Sequence, residues 1–207
     1  MSRTKPPARS DWKDGFLFLG NHLALDFVNT RPLMEDGPLE LLPDLEALLR
    51  WFQAAELLGP GQATELKHWA GSPRAGKAVR EMQEWRERLR EGLLAWEAGG
   101  ALHRSTVDEL NRLMAKHPMR TRLRVAGGDA SAEAWFEASK PDDLYAPLAH
   151  SAAQLFARPD RSRVRKCANC ILHFVDTSKK GTRCWCSMQL CGNRAKVAAY
   201  AARRRGR

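Results

Sequence analysis

All five cysteines of this 207-residue chain fall between Cys167 and Cys191, and that crowding constrains the fold more than any other feature. A segment this short cannot hold itself together with an apolar core alone, so it needs cross-links or a metal. An odd number of thiols fits a closed disulfide framework poorly. The opening stretch "MSRTKPPARSDWKDG" is basic and has no apolar run behind it, so no secretory signal is expected. No run reaches the roughly 18 apolar residues of a membrane span. A cytoplasmic, reducing setting is therefore expected, where clustered thiols serve metal or redox chemistry.

The spacing points to metal. Cys167-Ala-Asn-Cys170 is a C-x2-C knuckle, Cys186 follows after fifteen residues, and Cys191 after four more. Two closely spaced thiol pairs with such a gap match a structural site for one Zn2+ per chain, because each tight turn aims two thiolates at one point. Cys184 and Cys186 compete for the third position. Cys186 is preferred, since a short helical turn closes C-x4-C easily, which leaves Cys184 as a fallback ligand or a spare thiol that simply packs, with a redox-sensing role as the lesser alternative. His173 is expected to be a core or surface histidine rather than a ligand. An iron–sulfur cluster would also use four cysteines, but no redox-partner motif accompanies them. Ile171, Phe174, Val175 and Trp185 supply a small apolar cluster around the site.

Charge is distributed as unevenly as the cysteines. From Arg161 onward there are 13 Lys/Arg and a single acid, Asp176, out of 34 basic and 24 acidic residues in the whole chain. The first 160 residues are therefore close to neutral, and the cysteine segment carries the positive charge. That asymmetry is the footprint of a nucleic-acid-binding module joined to a neutral partner domain.

The region before it reads as mainly helical. "PDLEALLRWFQAAELL" places Leu45, Leu48, Leu49, Phe52 and Leu57 at helical spacing, with Pro43 suited to a first turn and Gly59-Pro60 to a stop. A short helix is expected in "GQATELKHWAG". The longest helix is expected over Ala75–Ala98, with a stripe at Val79, Met82, Trp85, Leu89, Leu93 and Trp96. Another follows in "STVDELNRLMAKH", with Ser105 or Thr106 as its N-cap. Alternation around Gly127-Gly128-Asp129 predicts a β-hairpin within 120–137. "DDLYAPLAHSAAQLFARPD" returns to helix, although Pro147 argues against an unbroken one. Pro159-Asp160 marks the expected domain boundary. The fold class is thus mainly α with a small hairpin: a flexible arm over 1–14, a helical domain over 15–160, and a four-cysteine zinc finger over 161–207 with a basic C-terminal helix.

"KCANCILHFVDTS" in general pattern, and "WCSMQLCGNRAK" almost letter for letter, resemble the CGNR zinc-finger family of stress-related bacterial transcription regulators. "LGNHLALDFVNT" resembles the opening of the helical ABATE domain that precedes the finger in that family. The resemblance runs from about Gly15 to Arg205. It supports Cys186 over Cys184, because the family's second knuckle falls on Trp185-Cys186-Ser187-Met188. The first knuckle is shorter than is common in the family, a variation that one zinc accepts. The resemblance implies a DNA-binding regulator.

Ser187 suits the N-cap of the turn that leads into "GNRAKVAAYAARRR". On that helix Asn193, Val197, Tyr200 and Arg204 share a face flanked by Arg194, Lys196 and Arg203. Arg194, Lys196, Arg203, Arg204 and Arg205 are expected to meet phosphates, with Asn193 or Arg194 reaching base edges and Tyr200 on the same surface. For Asn193 and Arg194 the structural alternatives are a cap on the knuckle carbonyls and an ion pair with Asp176 or another carboxylate. In the helical domain, Asp26, Asn29, Thr30 and Arg31 form a polar cluster that could line a ligand pocket, or Asn29 and Thr30 could merely cap a helix end. No nucleophile–base constellation can be assembled, so no enzyme is expected. The expected partner is DNA, with room for a homodimer and an unidentified small-molecule effector, and no membrane. An RNA- or ribosome-associated zinc protein is the first alternative. A small-molecule-binding protein or enzyme whose finger serves only as an interaction module is the second.

Overall fold

The computed structural model describes residues 11–34 and 37–205. Among these, seven α-helices and four two-stranded antiparallel pairs are arranged as β1 (Trp12–Lys13), β2 (Phe16–Leu17), α1 (Leu23–Val28), β3 (Leu33–Met34), β4 (Gly37–Pro38), α2 (Leu45–Ala54), α3 (Pro60–Lys67), α4 (Pro73–Glu97), α5 (Arg104–Lys116), β5 (Arg120–Ala126), β6 (Asp129–Trp135), α6 (Tyr145–Phe156), β7 (Val164–Lys166), β8 (His173–Val175) and α7 (Asn193–Arg205). The architecture is mainly α with small β elements, as the sequence pattern predicts. No described helix is long and apolar enough to cross a membrane.

The helices form where caps and apolar stripes coincide. Asp44 caps α2, its carboxylate accepting the Ala47 N–H at 2.8 Å. Ser72 caps α4 in the same way through Ala75, with Pro73 in the first turn, where a missing N–H costs nothing. The stripe from Val79 to Trp96 is buried as expected. It closes on an aromatic group in which Phe27 stacks on Trp85 at 5.5 Å and meets Trp51 edge-on at 6.0 Å. α5 begins one residue before the expected caps, because the His103 ring accepts the Ser105 N–H instead. α6 is unbroken despite Pro147, which sits in its first turn, where no intrahelical carbonyl is waiting for its nitrogen.

Asp26 and Arg86 are buried charged residues of this domain. Arg86, on α4, is 1% exposed and donates to both carboxylate oxygens of Glu40 at 2.5 and 2.9 Å, to Glu87 at 2.9 Å and to Thr30 Oγ1 at 2.9 Å. Burial pulls its pKa down, but the hydrogen bonds and charges of Glu40 and Glu87 outweigh that and hold it above the ordinary arginine value.

β5 and β6 pair over seven residues each around Gly127 and Gly128, both at positive φ, as a two-residue hairpin turn requires. The hairpin is largely exposed. Arg120, Arg122 and Arg124 alternate with Leu123 and Val125, which are 76% and 75% exposed. Residues 11–14, expected in a flexible arm, belong to the fold instead: Trp12 and Lys13 pair with Leu17 and Phe16, and Lys13 Nζ donates to the Ala54 carbonyl and to Glu56. Residues 1–10 of that expected arm lie outside the described residues.

Candidate metal centre and nucleic-acid interface

The finger is built on the β7–β8 pair, whose register sets Val164 against Val175 and Lys166 against His173. Beyond β7 the chain turns tightly through Cys167–Cys170, and the Cys167 N–H returns to the Leu172 carbonyl at 2.8 Å. The Ala168 N–H bonds the Cys184 carbonyl at 2.9 Å, which brings the second knuckle over the first. Ser187 then caps a π-helical turn over Met188–Gly192, its Oγ accepting from the Gln189 and Leu190 N–H groups and donating to the Asp11 carboxylate. Gly192 leaves room there for the flexible Met188 side chain. A Cβ on it would lie 2.5 Å from Met188 Sδ and 3.3 Å from the Trp185 ring.

This arrangement puts Cys167, Cys170, Cys186 and Cys191 sulfurs all within 4.8 Å of one another. Four sulfurs bound to one zinc stand roughly 3.8 Å apart, the edge of a tetrahedron with ~2.3 Å Zn–S bonds. Cys170 and Cys186 Sγ are 3.7 Å apart, so the donor set fits the ion. Hydrogen bonds from Cys170 and Cys186 hold the Cys167 thiol well below its ordinary value, while contact with that sulfur pushes Cys170 up to about 12 and Cys186 higher still. Four crowded sulfurs cannot all ionise without a counter-charge, and a divalent cation supplies what four thiolates need. Cys184 stands outside it, exposed, with its thiol toward the Thr182 carbonyl at 3.3 Å.

Apolar packing around the sulfurs comes from both parts of the chain. Leu17 and Leu19 cluster with Leu172, Phe174 and the buried cysteines, and Trp185 packs partly against them. Val175, expected in this cluster, joins the larger core of the helical domain together with Val164. The finger is thus seated on the domain that precedes it.

Of the predicted pocket residues, Asn29 forms that seat directly and Asp26 supports it through Gly20, while Thr30 and Arg31 bond within the helical domain. Asn29 is fully buried; its amide donates to the His173 carbonyl at 2.8 Å and its carbonyl accepts the His173 N–H at 2.9 Å. The Gly20 carbonyl accepts the Val175 N–H at 2.8 Å, and the Asn21 amide donates to the Val175 carbonyl at 3.0 Å. Asp26 holds the other side of Gly20, accepting its N–H at 2.7 Å, and a Cβ on Gly20 would lie 2.7 Å from Leu25 Cβ. Thr30 donates to the Phe27 carbonyl and accepts from Arg86, and Arg31 lies 3.7 Å from Glu87. The expectation of a ligand pocket at Asp26, Asn29, Thr30 and Arg31 is therefore corrected: backbone and ion-pair partners use their polar atoms. His173 is a core histidine whose Nε2 faces Glu97 at 3.3 Å.

The finger's arginines fall into two sets. Arg161 donates to the Gly99 and Gly100 carbonyls, Arg163 to those of Asp176 and Ser178, and Arg165 to those of Ser162, Gly181 and Arg183. Arg183 lies over the Phe174 ring at 4.2 Å and donates to the Trp185 and Cys186 carbonyls. Arg165 and Arg183 thus brace the second knuckle and the loop before it, Arg163 holds the loop after β8, and Arg161 ties the finger to the helical domain, roles for which the sequence carries no signal. Asp176 accepts the Ser178 and Arg183 N–H groups, so the alternative of an Arg194–Asp176 ion pair is not realised. Arg194 instead donates to the Leu190 carbonyl at 2.6 Å and reaches Cys191 Sγ at 3.5 Å.

The second set lies on α7. None of its described side chains is buried: Asn193, Arg194, Lys196, Tyr200, Arg203 and Arg204 are all exposed, as is Val197 at 68%. Arg204 lies 6.0 Å from the centre of the Tyr200 ring. The side chain of Arg205 lies outside the described residues.

Fold and site together define a helical domain bearing a four-cysteine zinc finger. The comparisons agree with the geometry. Residues 21–159 match the ABATE family, described as "Putative stress-induced transcription regulator", and residues 163–204 match the CGNR zinc finger. The chain belongs to the ABATE family. No curated protein matches it.

Proposed function

We propose that the chain is a DNA-binding transcription regulator in which zinc fixes the start of α7 and α7 lies against the duplex. The observation that carries this reading is a 13-residue helix that buries none of its described side chains and bears no acid. A helix of that length is marginal alone in water and gains from a partner surface. The partner that suits its exposed Arg194, Lys196, Arg203 and Arg204 is polyanionic. Asn193, exposed in the first turn beside the metal ligand Cys191, is the side chain best placed to reach a base edge, with the arginines farther along on phosphates. Arg194, bonded to the knuckle, positions the helix as well as adding charge.

A single small finger offers limited sequence readout, so two copies on paired half-sites are the expected binding unit. On this reading the protein acts in the cytoplasm and by binding, not catalysis, and the helical domain is the platform that holds the finger. Selection from a pool of random duplexes, followed by sequencing, tests it. The expected result is one enriched motif, weakened by Asn193→Ala with zinc content unchanged. No enrichment from DNA, with tight binding to RNA instead, would overturn the reading in favour of an RNA-associated protein.

A further inference from the structure

We propose that a cavity between the N-terminal strands and the finger is a binding site for a small, mainly apolar molecule of aromatic or branched aliphatic type. The cavity encloses about 430 Å³. Sites for drug-sized ligands span roughly 300–1,000 Å³, and this cavity falls at the smaller end of that range. One wall is Trp12 and Leu17, from the β1–β2 pair. A second is Pro32, Leu33 and Met34, on the segment that leaves α1. The floor is Leu172 and Leu190, beside the metal ligands Cys170 and Cys191. Four separate parts of the chain thus converge on one apolar space.

Two features separate this space from an ordinary packing gap. Leu33 and Met34, at its rim, are 49% and 43% exposed, although large apolar side chains elsewhere in this domain are mostly buried. Their strand, β3, has two residues and, among the described residues, pairs with the two-residue β4, so few backbone bonds hold the rim. The polar side chains on the wall are Gln189 and Arg194, which places the ligand's hydrogen-bonding group toward Gln189. These residues lie in the π-helical turn and first turn of α7, so a bound molecule would touch the link between metal and helix. That consequence depends on α7 being the DNA contact; binding in the cavity does not.

The test uses the zinc-loaded full chain and the neutral, apolar fluorophore N-phenyl-1-naphthylamine. The expected result is saturable fluorescence enhancement at one probe per chain. Leu33→Asp and Met34→Glu, both at partly exposed positions that the fold tolerates, should each weaken binding about tenfold, or roughly 1.4 kcal/mol. Leu123→Asp, on the exposed β5–β6 hairpin, should leave it unchanged, and zinc content should be equal in all four proteins. Enhancement that fails to saturate, that ignores Leu33→Asp and Met34→Glu, or that falls equally with Leu123→Asp would overturn the proposal.

Discussion

The helical domain and the finger use arginine in opposite ways. In the domain, guanidinium groups meet carboxylates: Arg86 with Glu40 and Glu87, Arg74 with Asp142, Arg88 with Glu109. In the finger, where the one acid after residue 160 is Asp176, they mostly meet backbone carbonyls, although Arg163 also lies 3.5 Å from the Asp160 carboxylate. A carbonyl satisfies an N–H without cancelling the charge. The finger body therefore stays strongly positive even though its arginines are committed, and it adds a long-range field to the contacts that α7 offers. Charge count measures that field; it overstates how many side chains are available to touch a phosphate.

The two regions also cohere by different means, which metal removal should expose most sharply. The domain rests on Trp51, Trp85, Phe27 and their neighbours, the finger on four thiols. A structural zinc contributes about 10–16 kcal/mol in isolated finger peptides. Chelation, or Cys186→Ser, should abolish ordered structure around the knuckles while far-UV circular dichroism retains the helical signal of the domain. Loss of both in one transition would mean that the domain cannot stand without its finger.

The seat between them is the next point to break. Asn29→Ala strands the buried N–H and carbonyl of His173, at about 1–3 kcal/mol for each group left unpaired. Asn29→Asp keeps the acceptor and should recover part of that loss, which chemical denaturation would measure. Equal stability of the two variants would contradict the paired-bond account.

A smaller effect is expected at Asp26. Burial raises its carboxyl from 3.8 to about 7, against the pull of the Gly20 and Leu19 N–H groups. A raised folded-state value means that the native state holds the proton more tightly than the unfolded chain, so this residue's contribution is full below pH ~4 and is lost as pH rises through 7. Asp26→Asn, which retains the Gly20 contact, should therefore gain melting temperature relative to the native chain between pH 5 and 8. A difference independent of pH would contradict it.

How much of this was legible beforehand follows from what each feature depends on. Thiol spacing is local, so the two knuckles could be read directly, while the choice of Cys186 over Cys184 leaned on the ease of a helical C-x4-C turn and on the family resemblance. The α4 stripe and the Gly127-Gly128 hairpin are local too. The ABATE-like stretch was legible as a polar cluster that either caps a helix end or lines a pocket; Thr30 does cap the end of α1, but the partners of Gly20, Asn21 and Asn29 were not legible, because they lie about 150 residues away, in β8. Hydrogen bonds from a side chain to a remote backbone leave no pattern in the sequence. The same holds for Arg86, which a helical wheel places beside Trp85 but which only the fold supplies with Glu40.

The central claim is that the exposed charges of α7, and not the carbonyl-bound arginines, meet the DNA backbone. The direct measurement is the salt dependence of duplex affinity for the native chain and for Arg203→Ala/Arg204→Ala. Contact with about five phosphates predicts a log–log slope of roughly −4 to −5 for the native chain, and the loss of two contacts a slope shallower by about 1.8. Zinc content and melting temperature should not change. An unaltered slope, with binding intact, would contradict the account.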